Sequence, residues 1–295
     1  MRSKNMYDTV RANNSKNTRF REVMKRFARN KGALIGTVIF AVILFEILFA
    51  NFIVPKEMVT AYNMEDKMMP PCREHIFGTD NIGRDLFARV LYGSRITVGI
   101  GVGSTLGALI IGAVIASVCA LVPSVDFVIM RLIDVLTCVP SILLALVLLA
   151  AFGGSVPSMI FTLTFVSIPG FVITIRSVLL RVVEEDYVKA ARLSGAPTWK
   201  LVVRHIIPNA MDQILVDATM TIAGMMMSAA GLSFIGMGVK PPSPEWGAML
   251  NFARDYFRTA PYLSIIPGAA IALTALAVNL IGDGLRDALD PKSLN

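Results

Sequence analysis

ITVGIGVGSTLGALIIGAVIASVCALV, residues 96–122, is the stretch on which the fold turns: 27 consecutive residues without a single Asp, Glu, Lys, Arg or His. About 20 apolar residues in a helix cross the roughly 30 Å hydrocarbon layer of a bilayer. A helix is also the form in which one segment satisfies its own backbone hydrogen bonds there. Comparable blocks lie at 33–54, 128–151, 157–180, 213–236 and 263–283. The whole chain is 55% hydrophobic and 17% charged, against about 45–50% and 25% for a soluble domain. The expected fold is therefore all-α, a polytopic membrane protein with six transmembrane helices.

The net charge of +7 sits almost entirely in residues 1–32, where ten Lys/Arg face only Asp8 and Glu22. Lys and Arg beside a span are retained in the cytoplasm, so this basic tail predicts cytoplasmic N- and C-termini around six spans. Lys56, Lys67, Arg73, Arg84, Arg89 and Arg95 in the 55–95 loop run against that rule, but the tail's cluster is denser and precedes the first span. Within the tail, Phe20, Val23, Met24 and Phe27 share a helical face, which suits an amphipathic helix on an anionic leaflet. Nucleic acid is not implied. The block at 33–54 is too long for the apolar core of a cleavable signal, about 7–15 residues, and no small-x-small site follows it. Cys72, Cys119 and Cys138 make no disulfide framework.

This topology gives an extracytoplasmic loop at 55–95, a core of five spans at 96–284 with a cytoplasmic loop at 181–212, and a cytoplasmic tail at 285–295. The outer loop runs into His75-Ile76-Phe77-Gly78-Thr79-Asp80-Asn81-Ile82-Gly83-Arg84-Asp85. Thr79 or Asp80 is placed to cap a short interfacial helix with Leu86, Phe87, Val90 and Leu91 on one side. Gly99, Gly103 and Gly107 recur every four residues, as in closely approaching membrane helices. Gly224, Ser228, Ala229, Ala230 and Gly231 are similarly small. Close helix contact explains most such residues, and a subset is expected to line a passage. Met225, Met226 and Met227 are adaptable apolar filler.

Catalytic patterns are missing from the sequence. There is no His-Glu-x-x-His, Gly-x-Ser-x-Gly or paired-carboxylate helix, and no phosphate-binding Gly-x-x-x-x-Gly-Lys-Ser/Thr loop. His75 and His205 fall on opposite sides of the expected membrane, so no metal site is predicted. Glu46 is the one acidic residue well inside a block, facing a partner or a wet cavity. Arg131, Asp134, Arg176, Asp212, Asp217 and Asp283 sit toward inner ends, within reach of water or each other. A carrier driven by ions usually shows charges near the midplane. A protein with neither these nor an ATP site is a passive channel or is driven by another subunit.

The 181–212 loop decides between these. Glu184, Glu185 and Asp186 place negative charge at the start of a helix over about Tyr187 to Ser194. Gly195 follows as a left-handed C-terminal residue before Ala196-Pro197. Thr198 caps a second helix to about His205, which Pro208 ends. Ala190 and Ala191 give the first helix a low profile suited to a groove on another protein. A DNA-binding helix-turn-helix has the same small residues at its turn, but two spans a few residues away leave no room for a separate domain.

Lys189-Ala190-Ala191, Gly195 and, nine residues later, His205-Ile206-Ile207-Pro208 resemble the signature Glu-Ala-Ala-x-x-x-Gly … Ile-x-Leu-Pro of bacterial ABC importer permeases. Lys189, His205 and Ile207 depart from it, while the Ala-Gly-Pro skeleton is intact. Three further stretches are similar to the C-type subunit of the dipeptide/oligopeptide/nickel group: His75–Asp85; Leu232-Ser233-Phe234-Ile235-Gly236-Met237-Gly238-Val239 through Pro241-Pro242-x-Pro-x-Trp246-Gly247; and Asn279–Asp287 with Asp290-Pro291.

The resemblance implies a type I ABC importer permease fold in the bacterial cytoplasmic (inner) membrane. It implies a B-type permease partner, two ATPase subunits that bind ATP and Mg, and an extracytoplasmic binding protein, with no cofactor or catalytic residue in this chain. Residues expected to contact the ATPase are Asp186, Tyr187, Lys189, Ala190, Ala191, Gly195, His205 and Pro208. Those expected at an external gate or binding-protein contact are Gly78, Asp80, Arg84, Asp85, Pro241, Pro242 and Trp246. The expected cargo is short peptides, with nickel or a metal chelate as the rival.

Overall fold

In the computed structural model, which describes residues 21–195 and 197–290, apolar blocks become helices whose ends are set by polar caps and prolines. They are α1 (Lys31–Ile53), α2 (Leu86–Leu121), α3 (Pro123–Thr137), α4 (Ser141–Phe152), α5 (Val156–Val183), α6 (Asp186–Leu193), α7 (Ile207–Phe234), α8 (Trp246–Ala253) and α9 (Tyr262–Leu289). No strand occurs among the described residues. Five helices (α1, α2, α5, α9, and α7 with the turn before it) are long and apolar enough to cross a membrane, six if α3 and α4 count as one span. The side chains of Thr198 and Trp199 lie outside the described set, and with them the predicted Thr198 cap. So do residues 1–20, most of the predicted basic tail, and residues 291–295. Residues 21–27 are helical. Asn30 joins this segment to the fold: its Oδ1 caps α1 at Ala33 N (3.1 Å) and its Nδ2 donates to Asp287 (2.9 Å).

Four boundaries differ from the sequence reading. The predicted span 128–151 is broken, since α3 and α4 meet at 85° across Cys138-Val139-Pro140. Pro140 has no N–H to continue the ladder and biases Val139 away from helical geometry. The predicted interfacial helix is not separate. It is the first part of α2, a 36-residue helix about 54 Å long. Its cap is Asp85, whose carboxylate accepts from Ala88 N at 2.7 Å, rather than Thr79 or Asp80. Nor does Pro208 end the second cytoplasmic helix. A turn at Thr198–Leu201 passes through a π segment, Val202–Ile206, directly into α7. Ile207 N reaches back to Val202 O, the longer register that absorbs the proline at the second position of α7. At the other end of the chain, residues 285–289 of the predicted tail continue α9.

α2 lies at the centre, packed along α5 and against α7, while α9 joins α7 to α1. Glycines in α2 permit this. A Cβ on Gly101 would stand 2.3 Å from Met226 Cγ of α7, and one on Gly112 would stand 2.7 Å from Phe171 Cβ of α5. Close helix approach therefore explains these small residues.

α8 packs against α7 and α9 at the Asp85 end of α2. Trp246 is 2% exposed; its Nε1 donates to Val90 O (2.9 Å) and its backbone N to Thr97 Oγ1 (3.2 Å). Glu245 is fully buried and caps α8, accepting from Gly247 N (2.9 Å) and Ala248 N (2.7 Å). Burial pushes its carboxyl above the usual range, and those two backbone donors pull it partly back. Glu245→Ala strips the cap and leaves buried donors bare, a loss of about 1–3 kcal/mol. It is expected to lower the thermal unfolding midpoint of the detergent-solubilised protein. Glu245→Gln, which keeps an acceptor, should lose less, and equal midpoints for Glu245→Ala and the unmodified protein would contradict the assignment.

Candidate functional site

In the predicted 181–212 loop, α6 and the turn at Gly195 are seated on the ends of two long helices, and the second predicted helix runs directly into α7. α6 has Asp186 in its first turn and Arg192 in its last, each sign favourable to the helix dipole there. Its end is closed by Ser194 N to Ala190 O and Gly195 N to Arg192 O, both 3.0 Å. Gly195 has φ +78° and nothing within 4 Å of an added Cβ. The reason for glycine here is thus the left-handed backbone and not crowding.

Val188, 1% exposed, anchors α6. With Leu201, Val202 and Ile206 it joins a core containing Ile175, Val178 and Leu179 of α5 and Ala210 and Ile214 of α7. Ala191 packs against that core, whereas Ala190 on the other side is exposed. The two alanines therefore do different work: Ala191 lets α6 lie close to the bundle and Ala190 keeps the outer face flat. Asp186, Tyr187, Lys189 and Gly195 share the exposed side, Pro208 is exposed, and His205 is half-buried in the π segment. Lys189 Nζ pairs with Glu184 at 3.1 Å with both side chains more than half exposed, a weak contact. Partial burial, and then the Glu185 carboxylate, hold the Tyr187 hydroxyl above its ordinary range. Sequence reasoning did not single out Val188 or Leu193. Leu193 is 89% exposed at the end of α6, an apolar side chain in solvent beside the turn.

The residues predicted for an external gate or binding-protein contact are brought together, but mostly inside the protein. Asp80 accepts from Ile82 N and Arg84 N (3.0 Å each) and from Arg84 Nε (2.6 Å). Asp85 Oδ2 meets His75 Nδ1 at 2.8 Å. Gly78 O accepts from Leu86 N (3.0 Å). Arg89, which sequence reasoning left out of the site, is 3% exposed. Its Nη1 donates to Val59 O (3.1 Å) and Pro242 O (3.3 Å), and its Nε lies 3.8 Å from Asp80. Arg89 thus ties the 55–85 loop to the Pro241-Pro242 turn, which contains a cis peptide bond. Gly78, Asp80, Arg84, Asp85 and Trp246 are buried, while Pro241 and Pro242 are exposed. The polar groups of the first five are satisfied internally, and these residues build the base on which the exposed Pro241-Pro242 turn stands.

Charges within the spans find each other or a cavity. Arg176 on α5 and Asp126 on α3 form a two-point pair with both contacts at 2.5 Å. Arg131 and Asp134 pair at 3.3 Å. Glu46 is half-buried and lines an apolar hollow of about 510 Å³ between α1 and α9 with Val42, Ile266 and Ala270. No group of three or more metal-ligating side chains occurs among the described residues.

Comparison with known proteins agrees with this arrangement. The family model described as "binding-protein-dependent transport system inner membrane component" matches residues 101–295, and that for the "N-terminal TM domain of oligopeptide transport permease C" matches residues 18–71. The dipeptide transport system permease protein DppC of Alkalihalophilus pseudofirmus is 35% identical, covering 92% of this chain and 90% of the relative. The di/tripeptide transport system permease protein DppC of Pseudomonas aeruginosa is 38% identical over 93% of both. The glutathione transport system permease protein GsiD of Pectobacterium atrosepticum is 39% identical over 93% and 92%. This chain belongs to the binding-protein-dependent transport family, as a multi-pass inner-membrane permease subunit of a bacterial ABC importer that works with a partner permease, ATPases and a binding protein.

Proposed function

We propose that this permease forms half of the path by which short peptides enter the cytoplasm, and that α6 with the turn at Gly195 is where a separate ATPase takes hold. ATP hydrolysis belongs to other subunits of the complex. In the proposed assembly the chain pairs with one B-type permease. Two ATPase subunits bind ATP and Mg, and a binding protein delivers cargo to the outer face. Peptide is favoured over nickel because the relatives named above carry dipeptide, di/tripeptide or glutathione in their names.

The observation that carries the coupling role is the split character of α6. One side is exposed from Asp186 to Gly195, while Val188 is sunk in a core made by the inner ends of α5 and α7. A push on the exposed side therefore reaches two long helices through packed side chains, which have little room to yield. No catalytic group is needed for that work.

Two substitutions separate docking from folding. Ala190→Trp adds bulk on the exposed side only. It is expected to abolish co-purification of the ATPase while leaving the unfolding midpoint of the subunit unchanged. Gly195→Val puts a β-branched residue at φ +78°, straining the turn by about 1–2 kcal/mol, and should cut ATP-dependent uptake of trialanine severalfold or more. The coupling reading fails if no ATPase co-purifies with the unmodified chain and Gly195→Val transports normally. For cargo, di- and tripeptides should compete with labelled trialanine and nickel salts should not; the reverse pattern would transfer the assignment to metal import.

A further inference from the structure

Between α5 and α7 lie two adjoining hollows of about 550 and 640 Å³, which share Val166, Ser167, Thr221 and Met225. A third, of about 560 Å³, continues toward the end of α9 and shares Asp217 with the first. Together they form one open groove from Gly231 to Leu289. Glycines along it differ in kind from those that join α2 to its neighbours. A Cβ on Gly170, Gly224 or Gly231 would meet nothing within 4 Å, whereas one on Gly101, Gly107 or Gly112 would come within 3 Å of another helix. Packing inside this chain does not require the first three to be small. Ser167, Thr174, Thr221 and Ser228 add hydroxyls to the same walls, where the lipid-facing surfaces of α1 and α2 carry exposed Val, Leu and Ile.

Asp217 stands where two of the hollows meet. It is half-buried; among the described residues no group hydrogen-bonds or closely pairs with its carboxylate, while the charges of Arg286 and Arg181 reach it from farther off. Arg181 and Arg286 line the lower hollow with it, and Arg181 donates to Gln213 Oε1 at 3.0 Å. An ionisable side chain within a span faces water or protein rather than lipid. Hollows on both sides of the carboxylate leave room for something that passes, and a carboxylate attracts its cationic end.

We propose that Asp217 is a cation-selecting point on the transit surface, which meets the protonated amino terminus of a short peptide as it moves between α5 and α7. This rests on the import-path reading above, so the test has one arm that needs no cargo. In the whole transporter, with Cys72, Cys119 and Cys138 replaced by Ser, Thr221→Cys is exposed in inside-out vesicles to two methanethiosulfonates, one with a trimethylammonium group and one with a sulfonate. Both should modify the new thiol. The cationic reagent should be favoured about ten-fold beyond its ratio on free cysteine, within the range by which charged clefts concentrate counter-ions. Asp217→Asn should remove the preference and Asp217→Glu should keep it, with ATPase co-purification showing that each variant assembles. No modification at all, as expected if a partner helix or lipid seals the groove, overturns the proposal. So does a preference that survives Asp217→Asn. In the second arm, Asp217→Asn should lower trialanine uptake severalfold, and unchanged uptake overturns the peptide step. Should the unmodified transporter take up no trialanine while the reagent preference holds, the peptide assignment falls and the cation-selecting groove stands.

Discussion

A bilayer offers the backbone no hydrogen-bonding partner, and that single constraint orders this protein. Every interruption of a helix must be satisfied locally by a side chain, a shifted register or water at the membrane edge. Asp85 does so for α2 with a carboxylate, Glu245 for α8 with a buried one, and the π segment before Pro208 with a change of register. Polar residues elsewhere in the spans follow the same economy. Arg176 and Asp126 neutralise each other across two helices, and Ser and Thr hydroxyls at Ser104, Ser117 and Thr274 return to the carbonyl one turn back.

Where apolar runs were long and uninterrupted, the fold was legible in the sequence. α1 and α5 lie within a few residues of the predicted blocks, because about 20 predominantly apolar residues permit few alternatives. The missed features all depend on what neighbours do. Val139-Pro140 is a visible break signal, yet the apolar run Ser141–Phe152 hides it in a hydropathy reading, and only the fold turns it into an 85° bend. Thr79, Asp80 and Asp85 are all chemically able to cap; Asp80 is occupied by Arg84, which leaves the end of α2 to Asp85. Pro208 looked like a stop because the π register that accommodates it has no sequence signature.

The loop carrying α6 was read more fully than the cap around Arg89, for a physical reason. Its signals are local: a charged helix start, small residues, a glycine at φ +78° and a proline. Even there, which alanine faces the bundle depends on the helical phase set by Val188, and that becomes apparent only once the core beneath it is known. The outer cap is instead a web of long-range contacts. Arg89 joins carbonyls at Val59 and Pro242, 30 and 153 positions away, and no window along the chain could display that.

The unbroken length of α2 has a mechanical meaning. It begins at Asp85, inside the outer cap, and ends at Leu121, with α5 packed along it. A rod of about 54 Å that tilts by about 10° carries its far end through roughly 9 Å. A separate interfacial helix joined by an elbow would dissipate such a movement at the joint. With no joint, a small rotation at the Leu121 end and a larger displacement at the Asp85 end would be one rigid-body motion, carrying with it the contacts of Arg89 and Trp246.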